Sequence, residues 1–482
     1  MAQPKQDDKI YSDLPPHQQL EKSPEPMQRI ESVAQGYSSG GIFQDPAVDL
    51  EFETTHVGEF GTKRDLKPRH VSMIAIAGTI GTGLFLGSGA SLVNGGPVGF
   101  FLGYTIVGCL VGMMMYCLGE MTVYAPNIGG FIEMGNKYIA PEAGFMMGIN
   151  YILQTGLAIP TEVTACAVMI SFWDDIDTHA SAYIAAFLIV TVIINLVGVK
   201  YFGEVEFVFA CIKVAMLVGL ILFGLIANVG GIDGVYTGGK YWRTEPFNDA
   251  YKSLQPVSKA RFLGFWKVLT QAAFAFGGIE GVSVLAGEAH NPRKTMRTAV
   301  RTVFYRIDSM PKVFLKTSRL GTPYWGVLVS FCFGLLAFLS VSSGSEQVFI
   351  WLSNLSALSS LIAWISICVC YTRFHKALGL QGIDRRDLDL RGWCQPYMAW
   401  TCISMFSIIL FFNGFESFIN KFSVSGFFAS YITLPVVALS LFGFRTYCWR
   451  IGRAFGFTEL SKINLGNGPS RALQGTKYDL GS

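Results

Sequence analysis

The sequence predicts an all-α, polytopic membrane protein with about ten spanning helices. Of its 482 residues, 51% are hydrophobic and only 15% are charged, with a mean hydropathy of +0.40. Soluble domains carry about 25% charged residues. The hydrophobic residues gather into ten runs, each long enough for a spanning helix of about 20 residues. Two of these runs are broken near their centres by glycines. A plain anchor avoids such breaks, because each glycine gives up about 1 kcal/mol of helix propensity relative to alanine.

In chain order, residues 1–68 are polar and mixed in charge, with PPHQQ and SPEP turns and no hydrophobic signal peptide. They read as a disordered cytosolic tail. Its lysines (Lys5, Lys9, Lys22, Lys63, Lys67) are open to modification, but nothing separates them from ordinary solvated lysines. The membrane domain then occupies 69–446. Its first two spans, 70–93 and 98–120, are joined by a tight Asn94-Gly95-Gly96-Pro97 turn. A polar loop, YAPNIGGFIEMGNKYIAPE, precedes the third span at 144–171. The fourth and fifth follow at 181–199 and 203–228, and a long polar loop, 229–261, leads to the sixth at 262–288. Further runs lie at 323–342, 347–371, 396–414 and 424–445, before a cytosolic tail over 447–482. Of the ten cysteines, eight lie inside spans and none form a C-x₂-C pattern, so they read as packing residues, not as disulfides or metal ligands.

Loop charge sets orientation. Basic residues cluster at Lys63–Arg69, Arg293–Arg319, Arg373–Arg391 and Arg445–Arg453, all on one side if both tails are cytosolic. The other side has the bare connections Asn94–Pro97 and Ser340–Glu346 and the acidic Asp174-Asp175-Ile176-Asp177.

The first glycine-broken span contains Ile80, Gly81, Thr82 and Gly83, the sixth Phe276-Gly277-Gly278. Interrupted helices expose backbone groups at mid-membrane, which is tolerated only against protein or a ligand cavity. They point to a transporter's substrate site, and five spans from one break to the next suggest two inverted five-helix repeats. Close packing through small residues is the competing reading of either stretch alone. A dinucleotide-binding glycine loop is excluded, since the spacing, strand and acidic partner are all missing. Glu162, Lys213 and Glu280 lie inside spans, where ionisable groups are expensive and by default functional. Lys213 could load and release a proton during a cycle; the alternative for all three is an internal pair that fixes helix packing. Glu120 and Glu288 sit at span ends and read as interfacial.

Several stretches together resemble the fungal amino-acid permeases of the amino acid–polyamine–organocation superfamily. They are LKPRH from Leu66, GTIGTGLFLGSG from Gly78, NGGPVG from Asn94, LGEM from Leu118 and AIPTEVTACAVMISFW from Ala158. GEVEF from Gly203 followed by Lys213, AFGGIEGVSVLAGEAHNPRKTM from Ala275, and WLSNLSALSSLIAW from Trp351 complete the set. The resemblance implies a LeuT-like inverted-repeat fold, usually of twelve spans, working by proton-coupled alternating access. It implies a substrate carboxylate on the N–H groups around Ile80, Gly81, Thr82 and Gly83, and an ammonium on carbonyls around Ala275, Phe276 and Gly277. It also makes Phe274 an aromatic lid and Lys213 the stand-in for a sodium ion.

One departure stands out. Arg301–Arg306, after the sixth span, runs straight into Asp308-Ser-Met-Pro-Lys-Val-Phe314, which resembles a stretch that the family places two spans later. About 80 residues, two spans with their loops, are missing by this reading. An even number of lost spans preserves the sidedness of everything downstream.

The functional expectation is amino acid/proton symport in the plasma membrane, with amino acids, protons and lipid as partners, and ubiquitin-ligase adaptors on the cytosolic tails. No cofactor, metal or nucleic acid is implied. The alternatives are a permease-like amino-acid sensor and a truncated, transport-incompetent product. A membrane enzyme is the weakest class, because no nucleophile–base pair, metal cluster or phosphate loop stands out.

Overall fold

The computed structural model describes residues 80–125, 130–174, 176–196, 199–232, 234–281, 283, 324–419, 422–452, 456–463 and 465. The tail over 1–68, Glu288 and the Arg306–Asp308 junction lie outside the described residues. The described residues form a helical bundle, with α1 Thr82–Phe85, α2 Gly87–Tyr124, α3 Gly130–Met134, α4 Pro141–Ile170, α5 Ile176–Leu196, α6 Val199–Asn228 and α7 Val257–Ala275. After these come α8 Tyr324–Gly334, α9 Ser345–Leu380, α10 Tyr397–Phe411, α11 Val424–Tyr431 and α12 Thr433–Arg450. Among the described residues, six helices are long and apolar enough to cross a membrane, or seven if α11 and α12, bent by 47°, count as one span. All ten runs expected to span carry helix.

The first two spans are joined more smoothly than the expected turn. Helix runs through Asn94 and Pro97, and the direction changes at Gly96 alone (φ 71°, ψ 175°). Glycine is required there twice over, for the positive φ and because a Cβ would sit 2.8 Å from the backbone of Pro246 and Asn248. The Pro246–Asn248 segment clamps the kink: Val98 N–H donates to the Pro246 carbonyl at 3.0 Å, and Asn248 Nδ2 donates to the Val93 carbonyl at 3.0 Å.

At the opposite end of α2 the expected polar loop is a folded element. Phe131, Ile132, Met134 and Tyr138 are buried in α3 and the π-turn Gly135–Ile139 that follows it. Gly135 and Gly144 let this turn press against α4, since a Cβ on Gly144 would meet the Asn136 backbone at 2.9 Å. Glu120 is not interfacial, as its sequence position suggested, but fully buried. Arg385, in the α9–α10 connection, grips both its oxygens at 2.9 and 3.0 Å, and Gly392 N–H adds a third bond at 3.0 Å. A bidentate, fully bonded pair of this kind is what makes a buried carboxylate tolerable.

The residues after α12 fold back onto the same end. Gly456 N–H donates to Glu142 at 2.6 Å and Thr458 N–H to the Ile139 carbonyl at 2.8 Å. Arg373, at the end of α9, donates to the carbonyls of Tyr138 and Thr458, and Gln381 Nε2 donates to the Ile463 carbonyl at 2.7 Å. Ile463 and Leu465 join the main core. Within the cytosolic tail expected over 447–482, residues 456–463 and 465 thus form a docked strap.

Candidate functional site

The described chain begins at the expected first break, and that point touches the expected second one. Ile80 and Gly81 form the bend that leads into α1, with Gly81 extended (φ −129°, ψ −169°) as its N-cap. The α7 helix ends at Ala275, and the chain turns through Phe276–Glu280 with Gly278 at φ 89°. Gly83 packs directly on this end: a Cβ there would sit 2.5 Å from the Ala275 Cα. The first turn of α1 offers the N–H groups of Thr82 and Gly83. Across from it, the carbonyls of Ala275, Phe276 and Gly277 accept no backbone hydrogen bond among the described residues. The start of α1 and the end of α7 are therefore in contact at Gly83 and Ala275.

The intramembrane charges divide into two groups. Thr82 Oγ1 donates to Glu162 Oε1 at 3.0 Å, and a Cβ on Gly81 would lie 3.9 Å from that oxygen. Lys213, half-buried on α6, is within electrostatic reach of Glu162. Glu162 is exposed, beside the bend at Ile80 and Gly81. Glu280 belongs elsewhere. It is fully buried and accepts from Gln154 Nε2 at 2.6 Å and Trp364 Nε1 at 2.9 Å. Gln154 Nε2 also reaches Ser360 Oγ at 2.8 Å, while Gln154 Oε1 is buried without a hydrogen bond. Ser360 in turn packs on the second break, 2.8 Å from where a Cβ on Gly277 would be.

The aromatic residues split as well. Phe274, half-buried, meets Phe349 of α9 edge to face, with ring centroids 6.2 Å apart. Phe276 turns the other way, toward Tyr104 and Gly108 of α2.

Sequence reading missed Lys267, a buried lysine in the middle of α7, paired with Glu416. Its signal was in plain view, a single lysine within FLGFWKVLTQAAFAF. Gln154, Ser360 and Trp364 were also missed, because a neutral polar residue in an apolar span announces nothing until its carboxylate partner is known.

A bundle of long apolar helices with ionisable side chains within them defines a polytopic membrane protein. The chain belongs to the amino acid permease family, which matches residues 70–309 and 308–453. It is 32% identical to the general amino-acid permease GAP1 of Saccharomyces cerevisiae, over 84% of this chain and 80% of that protein. It is 31% identical to the dicarboxylic amino acid permease of the same yeast, over 80% of this chain and 77% of the relative. The lysine-specific permease matches at 31%, over 84% and 79%. The last alignment runs to 485 positions yet takes up about 405 residues of this chain, so about 80 positions belong to the relative alone. The protein is thus a multi-pass membrane protein of an amino-acid-transporting family.

Proposed function

We propose that the chain carries amino acids across the plasma membrane by alternating access, in symport with protons, with both termini cytosolic. The contact of Gly83 with Ala275 carries this reading, because it sets the start of α1 against the end of α7, the two glycine-marked points expected to hold the substrate. In this reading the substrate carboxylate lies on the N–H groups of Thr82 and Gly83, next to the bend at Ile80 and Gly81. Its ammonium lies on the carbonyls of Ala275, Phe276 and Gly277, and Phe274 covers it. A zwitterion suits opposed backbone poles better than any singly charged solute. No covalent chemistry is required, and the protein is not an enzyme. The side chain transported stays open, since relatives named for dicarboxylic amino acids and for lysine match equally well.

Proton coupling rests on Glu162 and Lys213. Glu162 holds Thr82 of the broken helix, so a change in the charge of this pair changes the grip on α1. Glu280, held by neutral donors on the second break, is a second proton site. Gln154 Oε1 lies ready to accept from a protonated Glu280 if the amide turns over. Ubiquitin-ligase adaptors acting on the tails complete the proposal.

The test is uptake of labelled amino acids by cells lacking their own permeases, with and without a protonophore. Accumulation that collapses with the proton gradient supports symport. Accumulation indifferent to it removes the proton role and leaves transport.

A second reading is a transport-incompetent product lacking two spans, with a sensor role open to it. It is favoured by the 80 unmatched positions and by the family match dividing at 308–309. Sequencing the native transcript across Arg306–Asp308 decides between them: an in-frame insert encoding two apolar spans restores the full permease, and a continuous transcript supports the shorter product.

A further inference from the structure

Lys267 has no part in the site described above, yet it is a cation buried in a membrane span with 7% of its side chain exposed. It pairs with Glu416, on the 3₁₀ turn Phe415–Phe418 between α10 and α11. The other oxygen of Glu416 accepts from the Tyr251 hydroxyl, so one carboxylate ties α7 to two separate connections. Burial and the Glu416 carboxylate both raise the Tyr251 phenol above its ordinary range, which keeps it a donor. Aromatic contacts close around the tie: Trp266 with Phe412 at 5.8 Å, and Tyr251 with Phe415 at 5.8 Å.

Below Lys267 the same face of α7 carries two more cross-links at helical spacing. Gln271 Oε1 accepts from Asn94 Nδ2 at 3.4 Å, and Phe274 meets Phe349. One residue further is Ala275, against Gly83. Lys267, Gln271 and Phe274 thus step down in three layers, ionic, polar and aromatic, from the chain connections to the helix break. All three lie on the face opposite the Arg373–Arg391 cluster, which the loop charges assign to the exterior.

We propose that Lys267, Glu416 and Tyr251 form an outer clasp that closes the substrate path above Phe274. Opening toward the exterior breaks the ion pair, and closing remakes it. Such a clasp is suited to reversible closure, since the pair attracts strongly only while water is excluded and weakly once the outer path is wet. Lys267 and Glu416 are positioning residues: they hold α7, and the substrate never bonds to them.

This inference rests on the transport reading for its role, and its test does not need transport. Thr270, buried on the same helix with no hydrogen-bond partner for its hydroxyl, becomes a near-isosteric reporter as Thr270→Cys. The full chain in cell membranes is treated from outside with a membrane-impermeant maleimide, and labelling is measured above the background of the native cysteines. The reporter is read alone, with Glu416→Gln, and with Glu416→Gln plus Lys267→Met. A lone Glu416→Gln leaves Lys267 buried and unpaired, so less protein should reach the surface, and the double change should restore that amount. A clasp requires labelling per surface molecule to rise several-fold in the double variant, where the protein is stable but the attraction is gone. Labelling equal to that of the reporter alone, at restored surface amount, means the pair only cements the fold and overturns the proposal. Fast labelling without any amino-acid uptake supports the clasp and counts against transport alone.

Discussion

The α6 and α9 helices are both apolar, and their fates in the bundle are opposite. The more apolar of the two, α6, has 6% of its most apolar stretch buried, while α9 has 83% of its own buried. Exposed residues of α6 include Val208, Ile212, Leu220, Leu222 and Phe223. The buried face of α9 holds Ser356, Ser359, Ser360, Ser366 and Trp364. In water the ranking would be reversed. In lipid there is no hydrophobic reward for helix contact, so burial follows small residues and hydrogen bonds, and long aliphatic side chains are left to the acyl chains. In these two helices the more apolar surface is left to lipid, and serine and tryptophan mark the contact with protein.

The sharpest test sets one glycine against another. Gly83→Leu should abolish uptake and most folded protein, because even a Cβ collides with Ala275. Gly219→Leu on α6, where nothing lies within 4 Å, should leave surface expression unchanged. Equal expression of the two variants would break the comparison. A buried aromatic gives the next largest effect: Trp364→Ala should cost about 3–5 kcal/mol in detergent unfolding, whereas Phe223→Ala should stay within about 0.5 kcal/mol. At the end of α2, Arg385→Ala leaves Glu120 buried and unpaired, a loss of about 3–5 kcal/mol that Glu120→Gln in the same chain should largely relieve. The smallest structural effect is expected on α6 itself. Lys213→Met should leave thermal stability and surface amount intact while removing proton-driven accumulation; undiminished accumulation against a gradient would end its coupling role.

The bends at Gly81 and Gly278 fall where the sequence sets glycine within an apolar run, an expense with few explanations. Glu162 and Lys213 were legible for the same reason, as charges where lipid should be. What the sequence did not show depends on partners distant in the chain. Glu120 looked interfacial because its Arg385 is 265 residues away. The loop YAPNIGGFIEMGNKYIAPE looked like a polar connection, since the apolar contacts of Phe131 and Met134 are made with other helices. Lys267 escaped notice although it obeyed the same rule as Lys213, and its acidic partner lies in a connection with no distinguishing pattern. The division of the charges into an accessible group, Glu162 with Lys213, and a buried one, Glu280, is a three-dimensional arrangement that spacing along the chain does not encode.

The strap over 456–465 bears on the order of assembly. Gly456 bonds to a residue 314 positions earlier, and Ile463 and Leu465 enter a core whose other members are already synthesised. Every helix can be inserted into the bilayer before this segment leaves the ribosome, but the face around Tyr138 and Arg373 cannot be finished until it does. Completion of that face therefore follows the synthesis of α12, and the Tyr138–Arg373 surface stays uncovered for as long as the chain beyond Arg450 is still being made.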